Sequence, residues 1–344
     1  MKSKKTKQII IIAVVVLVAL CAGVFIYVNS LDKAFDPAKK DTQMITVEMG
    51  STSESIGNQL EDEGIIKSAS KFKIYSKIKG LASKYKAGTY ALSPSMTLGE
   101  IGDIIAGGKV STLTFTIPEG YTTAQIAKTL DEAGIAASEE FMNEVRNGKF
   151  DFDFVPAPNG KDDRLEGYLY PDTYTVEFGS DAHRVVEVFL KNFDEKFTKD
   201  LRKKAEKKNM SMNQVLTMAS LIERECQVDS ERRKVASVIY NRLDKGMMLQ
   251  IDATIQYLLG SQKEHLLYSD LEIDSPYNTY KNTGLPPGPI CSPGVECIKA
   301  ALDPADTDYI YYVLDPKLDG SHRFSNNAAN FEKDKAAYAK AIND

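Results

Sequence analysis

The sequence predicts an α+β chain in three parts: an N-terminal transmembrane helix, small α+β modules, and a larger mixed α/β domain. Three observations lead there: an unbroken apolar run near the N-terminus, an internal repeat offset by 70 residues, and a change of texture near residue 151. The 344 residues suffice for one anchor and about two compact domains. Apolar residues at 43% and charged residues at 26% are proportions that bury a core. A net charge of −5 leaves no basic excess to neutralise phosphates, so nucleic acid is not an expected partner. The runs Arg202-Lys203-Lys204 and Lys207-Lys208 read as a solvated helix face.

The anchor is the clearest element. Ile9 to Val28 gives 20 consecutive uncharged positions, enough as a helix to cross a hydrocarbon layer of about 30 Å. Lys2, Lys4, Lys5 and Lys7 precede the run. Behind it the charges of Asp32, Lys33, Asp36, Lys39, Lys40 and Asp41 cancel. That asymmetry predicts a single-pass protein of the cell membrane, with residues 1–8 cytoplasmic, 9–28 spanning, and the bulk outside. A cleaved signal peptide fits less well, because the run is long and no small-x-small site follows it. Cys21 lacks the small preceding residue of a lipoprotein anchor, since Leu20 stands there.

Residues 29–42 are polar and turn-prone and read as a stalk. The repeat fills 43–150. Gly50, Thr52, Ile56, Leu60, Gly64, Ile65 and Ser68 match Gly120, Thr122, Ile126, Leu130, Gly134, Ile135 and Ser138. Each copy has a short apolar strand, a glycine turn, a threonine cap, a helix with apolar residues four apart, and a glycine stop. A looser third copy runs from Met96 to Gly108. Units of this size suggest LysM-like modules, or repeated scaffold elements that bind nothing.

Residues 151–344 form the larger domain. Leu165 to Tyr174 is an aromatic, strand-like stretch, and an amphipathic helix covers about residues 181–208. Ser211 and Gln214 make a capping box for a helix reaching about Gln227. A further helix follows from Asp229 or Ser230 to Gly246. Ser275 to Pro293 is a long ordered loop, Tyr309 to Leu314 a strand, and the tail from Ala328 a helix. Outside the anchor only Cys226, Cys291 and Cys297 remain, an odd number, and a Cys291–Cys297 pair is permitted but not required. His183, His265 and His322 stand apart, so neither a metal nor another cofactor is expected.

The helix around Glu223 carries the best candidate for chemistry. Val215, Ala219, Ile222 and Cys226 form its inward stripe. Glu223 lies about 100° round from Ile222, at the edge of the buried face, and Glu225 about 200° further on. The two glutamates therefore cannot face each other. A carboxyl flanked by apolar side chains has its charged form disfavoured, which suits a general acid. The plainer alternative is an ion pair with Arg232 or Arg242.

The text around this helix is specific. It reads A-S-L-I-E-R-E-C over residues 219–226, then R-R-K-V-A-S-V-I-Y-N-R-L-D-K-G and, later, S-P-Y-N-T-Y-K-N-T-G-L-P-P-G-P-I and G-S-H-R-F-S. With L-E-G-Y-L-Y-P-D-T-Y upstream, it closely resembles the endolytic murein transglycosylase family (MltG, also called YceG-like) over residues 43–335. The resemblance implies a LysM-like part ahead of a catalytic domain, with Glu223 as the catalytic residue. It also implies non-hydrolytic cleavage between N-acetylmuramic acid and N-acetylglucosamine in nascent glycan strands, leaving a 1,6-anhydro end and limiting strand length. Two departures are visible. Asp252-Ala253-Thr254 stands for the family's Asp-Pro-Thr, and Asn330-Phe331 for its Glu-His.

In that chemistry the C6 hydroxyl of the muramoyl sugar attacks its own C1, so no second carboxylate is needed to activate water. Asn241, Gln250, Asp252, Asn278 and Tyr280 suit sugar hydroxyls and N-acetyl groups, and Tyr168 suits stacking on a ring. Glu166 belongs with this substrate-binding set. Plainer roles exist too: Asn241 capping a turn, Asp252 capping a helix. One competing reading is a muramidase with Glu166 or Asp252 as second carboxylate, at about 5 Å for retention or about 6.5–9.5 Å for inversion. The other is a non-catalytic scaffold that binds peptidoglycan. The expected partners are glycan strands, the membrane and, from the topology, membrane-bound glycan synthases.

Overall fold

The computed structural model describes residues 2–343, with side chains from residue 7 onward. The chain forms two compact units, one of residues up to Leu113 with Glu177–Gly179, the other of Thr114–Val176 with the remainder from Ser180.

The first unit begins with helix α1 (Lys2–Leu31). Its stretch from Lys7 to Leu31 is long and apolar enough to cross a membrane. Apolar side chains along it, such as Ile9 and Phe25, are exposed to the surroundings. The last turn differs. Val28 and Leu31 are buried in the core of the unit, and the Asp32 carboxylate accepts from the Tyr75 hydroxyl at 3.0 Å and the Gly99 amide at 2.8 Å. Leu31 and Asp32, within the expected stalk, are thus packed.

Strand β1 (Gln43–Val47), helices α2 (Ser53–Asp62) and α3 (Ala69–Ile78), strand β2 (Gly88–Leu92) and helix α4 (Leu98–Gly107) follow. β1 pairs antiparallel with β2, Gln43 opposite Leu92 and Val47 opposite Gly88. Ile45 and Val47 point inward at alternate positions, as a half-buried strand requires. Thr52, Ser68 and Thr97 cap the helices that follow them, each accepting a backbone N–H of the first turn. Ile56, Leu60, Phe72, Tyr90 and Ile101 fill the core.

The same order returns in strand β3 (Thr112–Thr116), helices α5 (Thr123–Glu132) and α6 (Ser138–Asn147), and strand β4 (Thr173–Glu177). β3 pairs with β4, and the Thr114 and Thr116 hydroxyls meet those of Thr175 and Thr173 at 3.2 and 2.8 Å. Both copies turn through a glycine at positive φ, Gly50 at 82° and Gly120 at 79°, where a side chain would be strained. Most of the second copy belongs to the larger unit; the division falls within β3 after Leu113 and in β4 before Glu177.

The rest of the second unit is helical: α7 (Ala182–Lys196), α8 (Lys199–Lys207), α9 (Met212–Glu225), α10 (Arg232–Asp244), α11 (Asp252–Leu259) and α12 (Val295–Leu302). The hairpin β5 (Tyr311–Leu314) and β6 (His322–Ser325) and helix α13 (Ala328–Ala341) complete it. Two expectations are corrected. The helix expected over 181–208 is broken at Phe197, which is buried while Thr198 caps α8. Leu165 to Tyr170 is a run of turns rather than strand, since Gly167 at φ 81° bends the chain there. Helix α9 is the centre of the unit. Every residue from Val215 to Ile222 is buried, and α8, α10, α11 and α12 pack around it.

Phe72, fully buried in the first unit, tests the division into units. Phe72→Ala should remove about 3–5 kcal/mol of stability. Native-state hydrogen exchange should show faster exchange in β1 and β2 while amides of α9 keep their protection. Equal loss in α9 would mean that the two units unfold as one.

Candidate active site

Helix α9 is capped by Ser211 and Gln214 in a reciprocal box and stays apolar until its last turn. There Glu223, half-buried, carries the carboxyl of interest. Its Oε2 accepts from the Gly294 amide at 2.9 Å. Among the described residues it forms no ion pair. Arg232 pairs with Asp229 at 3.0 Å, and the Arg242 guanidinium donates to the carbonyls of Ile310, Met248 and Leu249. The plainer role for Glu223 therefore has no partner.

The loop that supplies Gly294 is stapled on both sides. Ile290 donates its amide to Ser220 Oγ at 3.0 Å, on the buried side of α9. The Gly120 amide donates to the Ser292 carbonyl at 2.9 Å, and the Ser292 amide returns to the Tyr121 carbonyl at 2.8 Å. These bonds bring the Pro118-Glu119-Gly120 turn to the end of α9. A side chain at Gly120 would begin 3.8 Å from Glu223 Cγ, and one at Gly294 would begin 1.9 Å from Glu119 Oε1. Glu119 is thus a second carboxyl at the site, and sequence reasoning missed it. The signal was present but unused: Glu119 sits just before the repeat glycine, where the first copy has Met49.

Burial raises the pKa of the Glu119 carboxyl above its ordinary value, and the charge of Glu223 adds to that. Burial, then Glu119, push the Tyr170 hydroxyl up to about 12. The Cys297 thiol, on α12, is held protonated by burial and by the charge and hydrogen bond of Glu223. All four cysteines are free, so Cys291 and Cys297 do not form a disulfide.

Arg224 comes against Gly120 as well, with a guanidinium nitrogen 3.7 Å from where a side chain there would begin. Its guanidinium donates to Gln262 Oε1 at 2.7 Å and to the Gly120 carbonyl at 3.4 Å. It lines a cavity of about 560 Å³ together with Thr122, Lys128, Asp162, Gln256 and Tyr257. Glu166 stands in the wall of this cavity, only 3% exposed, accepting the Thr123 amide at 3.1 and 3.2 Å on its two oxygens. Burial pushes its carboxyl up to about 8, against the pull of that amide.

Four of the residues expected to bind sugar gather elsewhere, by Glu225. Tyr280 donates its hydroxyl to Asp252, Asn278 Oδ1 accepts the Tyr280 amide at 2.9 Å, and the Gln250 amide donates to the Thr279 carbonyl at 3.1 Å. The fully buried Asn278 spends its amide group on the carbonyls of Leu271 and Ile273. Gln250 and Asp252 are exposed. Glu225 accepts from the Tyr312 hydroxyl at 2.9 Å, and burial pushes it up to about 7. Asn241 holds the Thr307 and Tyr309 carbonyls, each at 2.8 Å, and so anchors the approach to β5. Tyr168 is buried between Phe154 and Phe193, which corrects the expectation of a ring open to stacking. In place of the family's Glu-His, Phe331 stacks on Tyr311 at 4.8 Å. Among the described residues no group of His, Cys, Asp and Glu is arranged to hold a metal ion.

Residues 45–337 match the family model described as the YceG-like family. The chain is 36% identical to the endolytic murein transglycosylase of Bacillus subtilis, over 94% of this chain and 92% of that protein. It is 31% identical to the endolytic murein transglycosylase of Streptococcus pneumoniae serotype 2, over 97% of this chain but only 66% of that longer protein. Among solved structures it resembles a yceG-like protein from Listeria monocytogenes, with a TM-score of 0.57 and 35% identity, covering 86% of this chain and 99% of that one.

Ser220→Ala leaves the Ile290 amide without its acceptor and should loosen the loop that holds Glu223. We expect a loss of about 1–3 kcal/mol in stability with lowered activity, checked by denaturant titration and turnover. Glu166 gives a pH test. Its folded-state pKa lies above the unfolded one, so the folded chain binds the extra proton and stability falls as pH rises from the ordinary carboxyl range toward about 8. Glu166→Gln should flatten that fall, with little difference at pH 4 and a higher Tm than the parent at pH 8.

Proposed function

The chain belongs to the YceG-like family, and from that premise we propose that it is an endolytic murein transglycosylase. It cleaves glycan strands of peptidoglycan between N-acetylmuramic acid and N-acetylglucosamine and leaves 1,6-anhydromuramoyl ends, which limits the length of nascent strands. The observation that carries this reading is Glu223 itself. It is half-buried at the end of a sealed helix, oriented by the Gly294 amide, and paired with no lysine or arginine among the described residues.

Protonated Glu223 donates to the glycosidic oxygen as the bond to C1 breaks. The carboxylate so formed takes the proton of the muramoyl C6 hydroxyl, whose oxygen bonds to C1. The proton count on Glu223 is restored and no water enters. Because nucleophile and electrophile belong to one sugar, the step gains the advantage of an intramolecular reaction.

The strand–helix–helix–strand order with paired strands, present at β1 to β2, supports reading the first unit as a LysM-like module that holds glycan. The lysines before the apolar run support an N-terminus in the cytoplasm and the two units outside. An anchored cleavage enzyme acts where strands are made, so membrane-bound glycan synthases are its proposed partners. Gln250, Asp252 and Tyr280, near one another at the surface, are proposed to contact the sugars.

Digestion of uncrosslinked glycan followed by mass spectrometry should give 1,6-anhydro ends; reducing ends alone would point to a muramidase. Glu223→Gln should lower turnover by at least about 10³-fold while Tm stays within a few degrees. Retained activity in that variant would remove Glu223 from the mechanism.

A further inference from the structure

Two carboxyls meet one backbone residue at the site. The Gly294 amide donates to Glu223 Oε2 at 2.9 Å. A methyl group on Gly294 would fall 1.9 Å from Glu119 Oε1 and 2.2 Å from its Cδ, so the Glu119 carboxyl fills the space a side chain would need. The φ of Gly294 is −72°, ordinary for any residue. The backbone does not require glycine here; a side chain would displace the Glu119 carboxyl, the far end of an exposed side chain. The two Gly120–Ser292–Tyr121 backbone bonds hold the turn in that place. Glu119 as a residue is exposed, so the pair opens to solvent on its side.

Resting on the transglycosylase reading, we propose that Glu119 is a positioning residue for catalysis: its carboxyl and that of Glu223 form one pair around Gly294 that retains a proton and keeps Glu223 loaded as the acid. Two adjacent carboxylates repel, so the second negative charge on such a pair is disfavoured. Burial first, and then the charge of Glu223, raise the Glu119 carboxyl, which marks the two groups as close enough to interact. The other charged groups around it are Arg232, which opposes the rise, and Asp229 and Glu296, which add to it; the Tyr170 hydroxyl also faces it. Turnover consumes no proton from Glu119. Glu223 gives its proton to the leaving oxygen and regains one from the C6 hydroxyl, while Glu119 disfavours loss of that proton to solvent between cycles.

The test is the pH dependence of kcat for the full-length chain in detergent on uncrosslinked glycan. In Glu119→Gln the alkaline limb should move to lower pH by about one unit. Turnover should then be about tenfold below the parent on that limb and within about threefold on the acid side, with KM and Tm little changed. Gly294→Ala keeps every charge but displaces the Glu119 carboxyl, and should move the limb the same way. A uniform fall in kcat with an unmoved limb, or a profile that superimposes on the parent, overturns the proposal. Glu223→Gln in the same assay separates the two ideas. If it is inactive while the Glu119→Gln limb stays put, only the role of Glu119 fails; if it is active, both fall.

Discussion

The rest of the structure depends on burying helix α9 on every side. From Val215 to Ile222 no residue of it reaches solvent, and a helix apolar all round must be enclosed by other elements. The polar groups in that span are satisfied at close range. Thr217 donates to the Asn213 carbonyl at 2.8 Å, and Ser220 to the Thr217 carbonyl at 2.8 Å while accepting from Ile290. Only the last turn, Glu223-Arg224-Glu225, carries charge, so the helix delivers its ionisable groups where the packing ends. A rigid element that presents reactive groups only at its rim is how a fold holds chemistry in register.

That placement gives the three neighbours different fates. Glu225, about 200° round the helix from Glu223, is covered by Tyr312 and lies near Asp252. Arg224 reaches over Gly120 to Gln262 beside the large cavity. Glu223 alone meets the loop ending at Gly294. Carboxyls two residues apart on one helix point about 200° apart, so Glu225 cannot join Glu223, and the second carboxyl at the site comes from another part of the chain. It comes from the turn before α5, carried there by the repeat whose second copy is built mostly into the larger unit. The repeat thus supplies part of the site as well as scaffold.

Much of this was legible in the sequence because it follows from local physics. The apolar run, the Thr52 and Thr122 caps, the Ser211 box and the position of Glu223 at the edge of a buried face are all set by residues within a turn or two. What was missed depends on distant partners. Glu119 is ordinary text until the Ser292 loop pairs with its turn, and the turns at Leu165–Tyr170 look like a strand until Gly167 meets Pro289, where a side chain would begin 2.6 Å away. Tyr168 and Asn278 are polar enough to suggest a ligand, yet Tyr168 is enclosed by Phe154 and Phe193, and Asn278 is spent on the carbonyls of Leu271 and Ile273 within its own loop. Polar side chains bond to whatever is nearest, and a single sequence does not show whether that is backbone or sugar.

The junction of α1 with the first unit bears on which glycan the proposed enzyme meets. Val28 and Leu31 are buried there, and Asp32 takes two donors, one of them the Gly99 amide in the first turn of α4, where a negative charge is favoured by the helix dipole. A free tether would let the first unit roam over tens of ångströms. A helix whose last turn is part of the core does not. If α1 spans the membrane, the first unit stands within a turn or two of the hydrocarbon boundary. Any glycan it grips is then held close to the membrane, where new strands emerge, rather than out in the mature wall. In the proposed function, a preference for nascent strands would then follow from how a helix ends.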